Sequence, residues 1–392
     1  MYSHVFVNIG AECTRMRPLN YLTIVLLCVT LGVPISGAAK SLSGAYLAAR
    51  QADAERDYRI SEQYYTRALR QDPNNPALME YLIMAHISLG QFAAASPVAQ
   101  RLDAQQVDSQ LVNMMQIATG AAQGQYDDIL LRIDQGKGIG ALIDSLLVAW
   151  AITGQGKMSD ALAAFDSVAE KQGVEVFARY HKALALAHAG DFESAAEIFE
   201  QTVDAGIRLT RRGVIAQIQV LSQLDLGDQA IAVLDRSFGA SLDPEISNLR
   251  QRLSADETLD FSIVRTPREG LAEVFYSIAN ILSADAEPDY TLFYTRIAEY
   301  LRPDHLDAVL FSASLLEQLE QFELASQNYT KIPISAPAFH NAELGRADTL
   351  RRSGNFDAAI EVLEKLARTH TDLPIVHSTL GDTLRREQMF AS

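Results

Sequence analysis

The sequence predicts an all-α fold, a solenoid of antiparallel helix pairs stacked in two blocks. Three observations carry this reading. Short turns made of a small or polar residue, a polar residue and an aromatic recur at intervals of 34 residues. Apolar residues on both sides of each turn keep helical spacing, the signature of an amphipathic helix. Glycine and proline together (22 and 12 of 392 residues) fall below the average share, which excludes a turn-rich β sandwich or a low-complexity chain.

The first 39 residues stand apart from the repeats. Met16-Arg17-Pro18 opens a short basic start, residues 21–33 are an apolar run, and Pro34-Ile35-Ser36-Gly37-Ala38-Ala39 precedes Lys40. Those are the three parts of a secretory signal peptide, with Met16 expected as the true start and cleavage expected near Ala39. The run is shorter than the roughly 20 residues of a membrane span, so the mature protein is not expected to cross a membrane. Both cysteines, Cys13 and Cys28, lie in this segment. Two cysteines found neither a disulfide framework nor a Cys-based zinc site. Their removal leaves a thiol-free chain suited to an oxidising compartment, periplasmic or secreted.

The repeat begins after the leader. Its turns are Arg56-Asp57-Tyr58, Gly90-Gln91-Phe92, Gly124-Gln125-Tyr126, Gly156-Lys157-Met158, Gly190-Asp191-Phe192, Glu320-Gln321-Phe322 and Gly354-Asn355-Phe356. In the first unit Ala49 holds a helix-crossing position, Tyr65 and Ala68 follow the turn, and Asp72-Pro73 ends the second helix. A later unit repeats the grammar with Ala279, a turn at Ala286, Tyr290, Ala298 and Arg302-Pro303. Alanine or glycine allows close approach of helix axes, and the aromatic fills the space between units. The pattern, best developed over 46–76, resembles the tetratricopeptide repeat family. The resemblance implies a right-handed superhelical solenoid of about nine or ten units over residues 42–392, each burying its apolar face on a neighbour.

The register breaks once. The sixth unit carries what reads as a turn shortened by two residues at Leu226-Gly227-Asp228, and residues 238–270 fit no unit. Within them Asp243-Pro244-Glu245 signals a helix start, with Ile246, Leu249 and Leu253 spaced for one face. Residues 259–264 partly alternate apolar with polar, and Thr266-Pro267 ends the stretch. Two readings stand side by side: an interruption between two blocks, or a degenerate repeat. The resulting division is a leader over 1–39, a first block over 40–237, the irregular region over 238–270 and a second block over 271–392. The last unit starts at Pro374 and carries Leu380-Gly381, with a turn expected at Met389-Phe390. With Ser392 following so soon, the sequence reads as a piece of a longer protein.

Charge narrows the function. Against 33 Lys and Arg stand 49 Asp and Glu, a net −16 that becomes −17 once a leader with two arginines and one glutamate is removed. Such a chain is not a nucleic-acid binder, because phosphate contacts need surplus basic residues. Hydrophobic content of 48% with 21% charged residues excludes wholesale disorder. No catalytic constellation emerges. Gly154-Gln155-Gly156-Lys157-Met158-Ser159 lacks the first glycine and the hydroxyl of a phosphate loop. Gly136-Lys137-Gly138-Ile139-Gly140 reads as a flexible connection, and Asp127-Asp128 as acids at a helix start. His181 and His188, seven apart, read as ordinary groove or surface histidines, with no zinc motif around them. The chain is therefore expected to be no enzyme and to need no cofactor.

What remains is the surface. In the family the resemblance points to, set positions on the first helix of each pair line a concave groove. Here they are Tyr46, Arg50, Glu80, Met84, Met114, Trp150, Tyr180, His188, Tyr276, Asn280, Asp348, Arg351, Arg352, Asp382, Arg385 and Arg386. Aromatics and arginine dominate binding hot spots. Arg351, Arg352, Arg385 and Arg386 reverse the local charge and suit a partner's carboxylates at the C-terminal block. The family's clamp for chaperone tails is not expected, since Phe311 stands where an asparagine should follow Asn280. The function expected is an exported scaffold for envelope assembly that binds a protein or peptide in its groove. The alternative is the substrate-presenting arm of an envelope enzyme whose catalytic domain lies beyond residue 392; a lipid-sized ligand in the apolar first block is a third reading.

Overall fold

The computed structural model describes residues 37–170, 173–239 and 243–391. The leader's basic start, its apolar run and both cysteines lie outside the described residues. Twenty helices and no strand occur among those described. The first twelve form six antiparallel pairs: α1 (Gly37–Ala54) with α2 (Tyr58–Leu69), α3 (Pro76–Ser88) with α4 (Phe92–Ala104), and α5 (Gln110–Gln123) with α6 (Tyr126–Asp134). They continue as α7 (Ala141–Gly154) with α8 (Met158–Ala169), α9 (Glu175–His188) with α10 (Phe192–Asp204), and α11 (Arg211–Gln223) with α12 (Gly227–Phe238). Next come α13 (Pro244–Ser254), α14 (Pro267–Leu282), α15 (Pro288–Leu301), α16 (Leu306–Gln318) and α17 (Phe322–Tyr329). The chain ends in α18 (Phe339–Arg352), α19 (Phe356–Thr369) and α20 (Pro374–Ala391). The all-α solenoid read from the sequence is the fold observed.

Most of the turns work by one left-handed residue, although the connection 283–287 between α14 and α15 has none. Gly90, Gly124, Gly156, Gly190 and Gly354 have φ between 70° and 86°. Arg56 and Glu320 adopt the same conformation at φ 57° and 60°, at a cost of about 1–2 kcal/mol each for a side chain with a Cβ. The sixth pair corrects the shortened turn expected there. Asp225 takes the left-handed position at φ 59°, and α12 starts two residues later at Gly227, the same interval as in the other turns. Aspartate tolerates that conformation better than most residues, so the turn keeps its length without its glycine. At the C-terminal end, α20 runs helical through Ala391, and the turn expected at Met389-Phe390 does not form.

From α3 to α11 the first helix of each pair is buried on more than one side. In α5 the run 111–115 and the run 117–121 are all buried, and α7 buries Ile143, Leu146, Leu147, Ala149, Trp150 and Ala151. The second helices bury only a stripe: α10 buries Ala195, Phe199 and Thr202, and α6 only Ile129. A helix apolar all round needs cover on every face. That cover comes from the chain itself, because the α14–α15 hairpin lies against the inner helices. Helix α14 packs on α7, α9 and α5, and α15 packs on α3 and α5. Leu271, Val274, Phe275, Ile278, Ile297 and Leu301 join the same apolar core as Met79, Met114 and Trp150.

The seating is close. A Cβ on Gly270 would lie 2.2 Å from a ring carbon of Trp150, so glycine is what lets α14 reach α7. Phe92 stacks on Tyr300 with ring centroids 4.4 Å apart. Arg296 reaches from α15 to the Ser88 carbonyl (3.2 Å), and Tyr58 and Arg56 both bond Asp289. With eight or more large apolar side chains buried on the hairpin, at about 1.5–3 kcal/mol each, its removal costs on the order of 10 kcal/mol. That matches the entire stability of a typical domain, so the hairpin is a fixed part of the core.

The segment between α13 and α14 crosses from the rim into this core. Asp243 caps α13 by accepting from the Glu245 and Ile246 amides, and Ile246, Leu249 and Leu253 are buried. Residues 257–264 then run without regular secondary structure, with Leu259, Ile263 and Val264 buried. Their backbone is satisfied by side chains of α11 and α15 instead of a sheet. Ser222 accepts from the Leu259 amide, Gln219 accepts from the Ser262 amide, and Arg302 donates to the Ile263 carbonyl at 2.6 Å.

Candidate functional site

With the inner surface filled, openings remain beside the hairpin. One is a cleft of about 380 Å³ between α9, the connection leading into α11, and α14. It gathers three of the groove residues expected from the sequence, Tyr180, Tyr276 and Asn280, although they come from different blocks. Apolar walls are supplied by Val176, Phe177, Leu209, Tyr276 and Ile281.

The floor is a buried ionic cluster. Glu273, 1% exposed, accepts from Arg212 Nε (3.0 Å) and Nη2 (2.7 Å), from the Tyr180 hydroxyl (2.8 Å) and from His305 Nε2 (3.2 Å). Arg212 also bonds Asp307 and lies over the Tyr276 ring at 5.5 Å. Burial pushes the Glu273 carboxyl up, but the Arg212 charge and the His305 hydrogen bond outweigh it and hold the carboxyl well below its usual range. Burial lowers His305, and Arg212 lowers it further, so the ring is neutral. Its Nδ1 accepts from the Ala308 amide as the N-cap of α16, which leaves Nε2–H to donate to Glu273. Burial raises Tyr180 well above its usual value. Every polar contact of Glu273 is thus to the protein, an arrangement that fixes α14 against α9, α11 and α16.

A second opening of about 480 Å³ lies at the other end of the hairpin, between α1, α3 and α15, and includes Arg50 and Met84. Arg50 sits over Tyr81 at 4.9 Å, Met84 is 37% exposed, and Tyr46 is exposed nearby on α1. Glu80 accepts from Ser109. Met114 and Trp150 are fully buried beneath the hairpin and face no solvent. His188 is half-buried, its pKa lowered by burial. Of the four arginines, Arg351 pairs with Asp348, Arg385 pairs with Asp382, and Arg352 lies over Phe322 at 4.9 Å. Arg385 and Arg386 are exposed on α20.

Two further expectations change. His181 is neither groove nor surface: it is fully buried, accepts from Trp150 Nε1 through Nδ1 at 3.0 Å, and is lowered by burial to about 4. The glycine-rich stretch 136–140 is anchored, not flexible. Asp144 accepts from the Ile139 and Gly140 amides, and Asn113 and Gln110 donate to the Gly138 and Ile139 carbonyls. Sequence reasoning missed Arg212, Glu273 and His305. A signal was present for the cover itself, since the stretches 76–88 and 141–154 are apolar on all sides. No metal-binding cluster occurs among the described residues, and none of their helices is long and apolar enough to cross a membrane.

Two tetratricopeptide repeat family models match, over residues 54–116 and 153–208. The chain contains tetratricopeptide repeats. No curated protein sequence matches it significantly. Solved structures that match include the P58(IPK) TPR domain, at 12% identity with 89% of this chain and 98% of that one covered and a TM-score of 0.26. Yeast Tom70 shares 15% identity over 90% of this chain and 97% of that one, at 0.27. Naa15/Naa10 bound to HypK shares 13%, covering 93% and 63%, at 0.34.

Proposed function

We propose that this chain is an exported protein-interaction scaffold of the bacterial envelope, cleaved near Ala39, which holds a partner's peptide segment beside its own α14–α15 hairpin. One observation carries the reading: in a repeat fold whose inner face is covered by its own hairpin, an apolar-walled cleft stays open beside that hairpin and collects Tyr180, Tyr276 and Asn280. Aromatic side chains around a partly apolar pocket are what binding hot spots are made of.

The test is a comparison of affinity-purified partners from cells making the wild type, Ile281→Glu, or Arg351→Glu with Arg385→Glu. The cleft reading expects a specific partner to be lost with Ile281→Glu and kept with the arginine pair. Loss with the arginine pair alone moves the site to α18 and α20, and an unchanged partner list for both removes both surfaces. Export is tested by N-terminal sequencing of the mature protein: Lys40 is expected first, and any retained apolar run contradicts cleavage.

A further inference from the structure

The cleft between α9, α11 and α14 has unsatisfied chemistry as well as shape. Its volume of about 380 Å³ falls in the roughly 300–1,000 Å³ range of formed ligand sites. Ile281 remains 39% exposed at its wall although it is a large aliphatic side chain. Two polar groups at the cleft have no partner among the described residues. Ser277 is 8% exposed and lines the cleft, and its hydroxyl makes no hydrogen bond with the described residues. Helical hydroxyls commonly turn back to a carbonyl four residues earlier, as Ser145 and Thr153 do here at 2.7 and 2.9 Å. Ser277 does not, and its Oγ is left open to the cleft, free to donate to or accept from a bound group. Arg208 is exposed at the mouth and forms no ion pair with the described residues. Its neighbours Arg211 and Arg212 are both paired, with Asp243 and Glu245 and with Glu273 and Asp307.

We infer that the cleft takes an extended peptide segment in which a large apolar side chain stands next to a carboxylate. The apolar side chain enters between Phe177, Leu209, Tyr276 and Ile281. A main-chain carbonyl of the peptide accepts from Ser277 Oγ, and the carboxylate pairs with Arg208. Arg212 does not compete for that carboxylate, because Glu273 and Asp307 already saturate it. The inference rests on the scaffold reading and adds the chemistry of the bound segment.

A random peptide display library panned against the full chain tests it. Enriched peptides are expected to share a Leu, Ile, Met or Phe adjacent to Asp or Glu. A labelled consensus peptide, followed by fluorescence anisotropy, should bind Arg208→Glu and Ile281→Glu about tenfold more weakly or worse, with melting curves of both variants unchanged. Replacing the peptide's acid by Lys should restore binding to Arg208→Glu. Enriched peptides without an acid, or binding indifferent to both variants, overturn the inference while leaving a scaffold that binds elsewhere. If no peptide is enriched and decanoate binds instead, the cleft is a site for small amphiphiles, and both the inference and the peptide scaffold reading fail.

Discussion

Replacing Gly270 with alanine puts a methyl group where the Trp150 ring already lies. The added Cβ would stand 2.2–2.5 Å from three indole carbons, whereas nonbonded carbons pack at roughly 3.5–4.0 Å. Either the indole or helix α14 must move by about 1 Å or more. The ring is not free to swing, because Phe165 packs on it edge-on at 5.8 Å and its Nε1–H is held by His181. Overpacking of this kind costs about 1–3 kcal/mol. The usual gain of alanine over glycine in a helix, about 0.5–1 kcal/mol, offsets only part of it. The expected net loss, about 1–2 kcal/mol, is read from urea unfolding by helical circular dichroism, together with a shift in the emission of the chain's single tryptophan. Gly44 and Gly381 are the controls, since nothing lies within 4 Å of a Cβ at either position. Alanine there should stabilise by about 0.5–1 kcal/mol. If Gly270→Ala stabilises as they do, α14 does not rest on α7 and the filled inner surface is wrong.

Three other outcomes follow from buried polar groups. Glu273→Gln removes the buried partner of Arg212 and leaves it only the more exposed Asp307, and should destabilise by about 3–5 kcal/mol in the same unfolding assay, more than Asp307→Asn. His181 titrates at about 4 in the folded chain against 6.5 unfolded, so its neutral form contributes full stability above pH 6.5 and loses it as the pH falls toward 4. That loss amounts to about 3 kcal/mol, and His181→Gln should flatten the stability profile across the same window. Tyr58→Phe removes a hydrogen bond to the Asp289 carboxylate that ties the first pair to α15, and should lower stability by about 1.5–3 kcal/mol in thermal melts.

Much of the fold was legible because the repeat advertises its turns. A left-handed glycine followed two residues later by an aromatic at a helix start is a local signal, and it located the pairs at Gly90, Gly124, Gly190 and Gly354. Asp225 hid the same turn because an aspartate there carries no sign of its backbone conformation. The inner filling was not legible from the periodicity, which records only that each pair packs on its neighbours. What records it is the absence of a polar face on α3 and α7, a property of whole helices. Tyr180, Tyr276 and Asn280 were found as single positions, and their convergence follows from a contact between residues 93 apart in sequence, Tyr180 with Glu273. Local patterns do not carry such a contact. The same holds for His181, which reads as a surface residue until Trp150 donates to it across α7 and α9.

The filled inner surface is the central claim, and Trp150 reports on it without any substitution. As the only tryptophan, it is 0% exposed beneath α14, whereas an open groove would present the indole to solvent. Acrylamide quenching of the native full chain is therefore the direct measurement. A blue-shifted emission with almost no quenching, rising to full quenching only on unfolding, is the predicted result. An indole quenched in the native chain as readily as in the unfolded one would contradict the account.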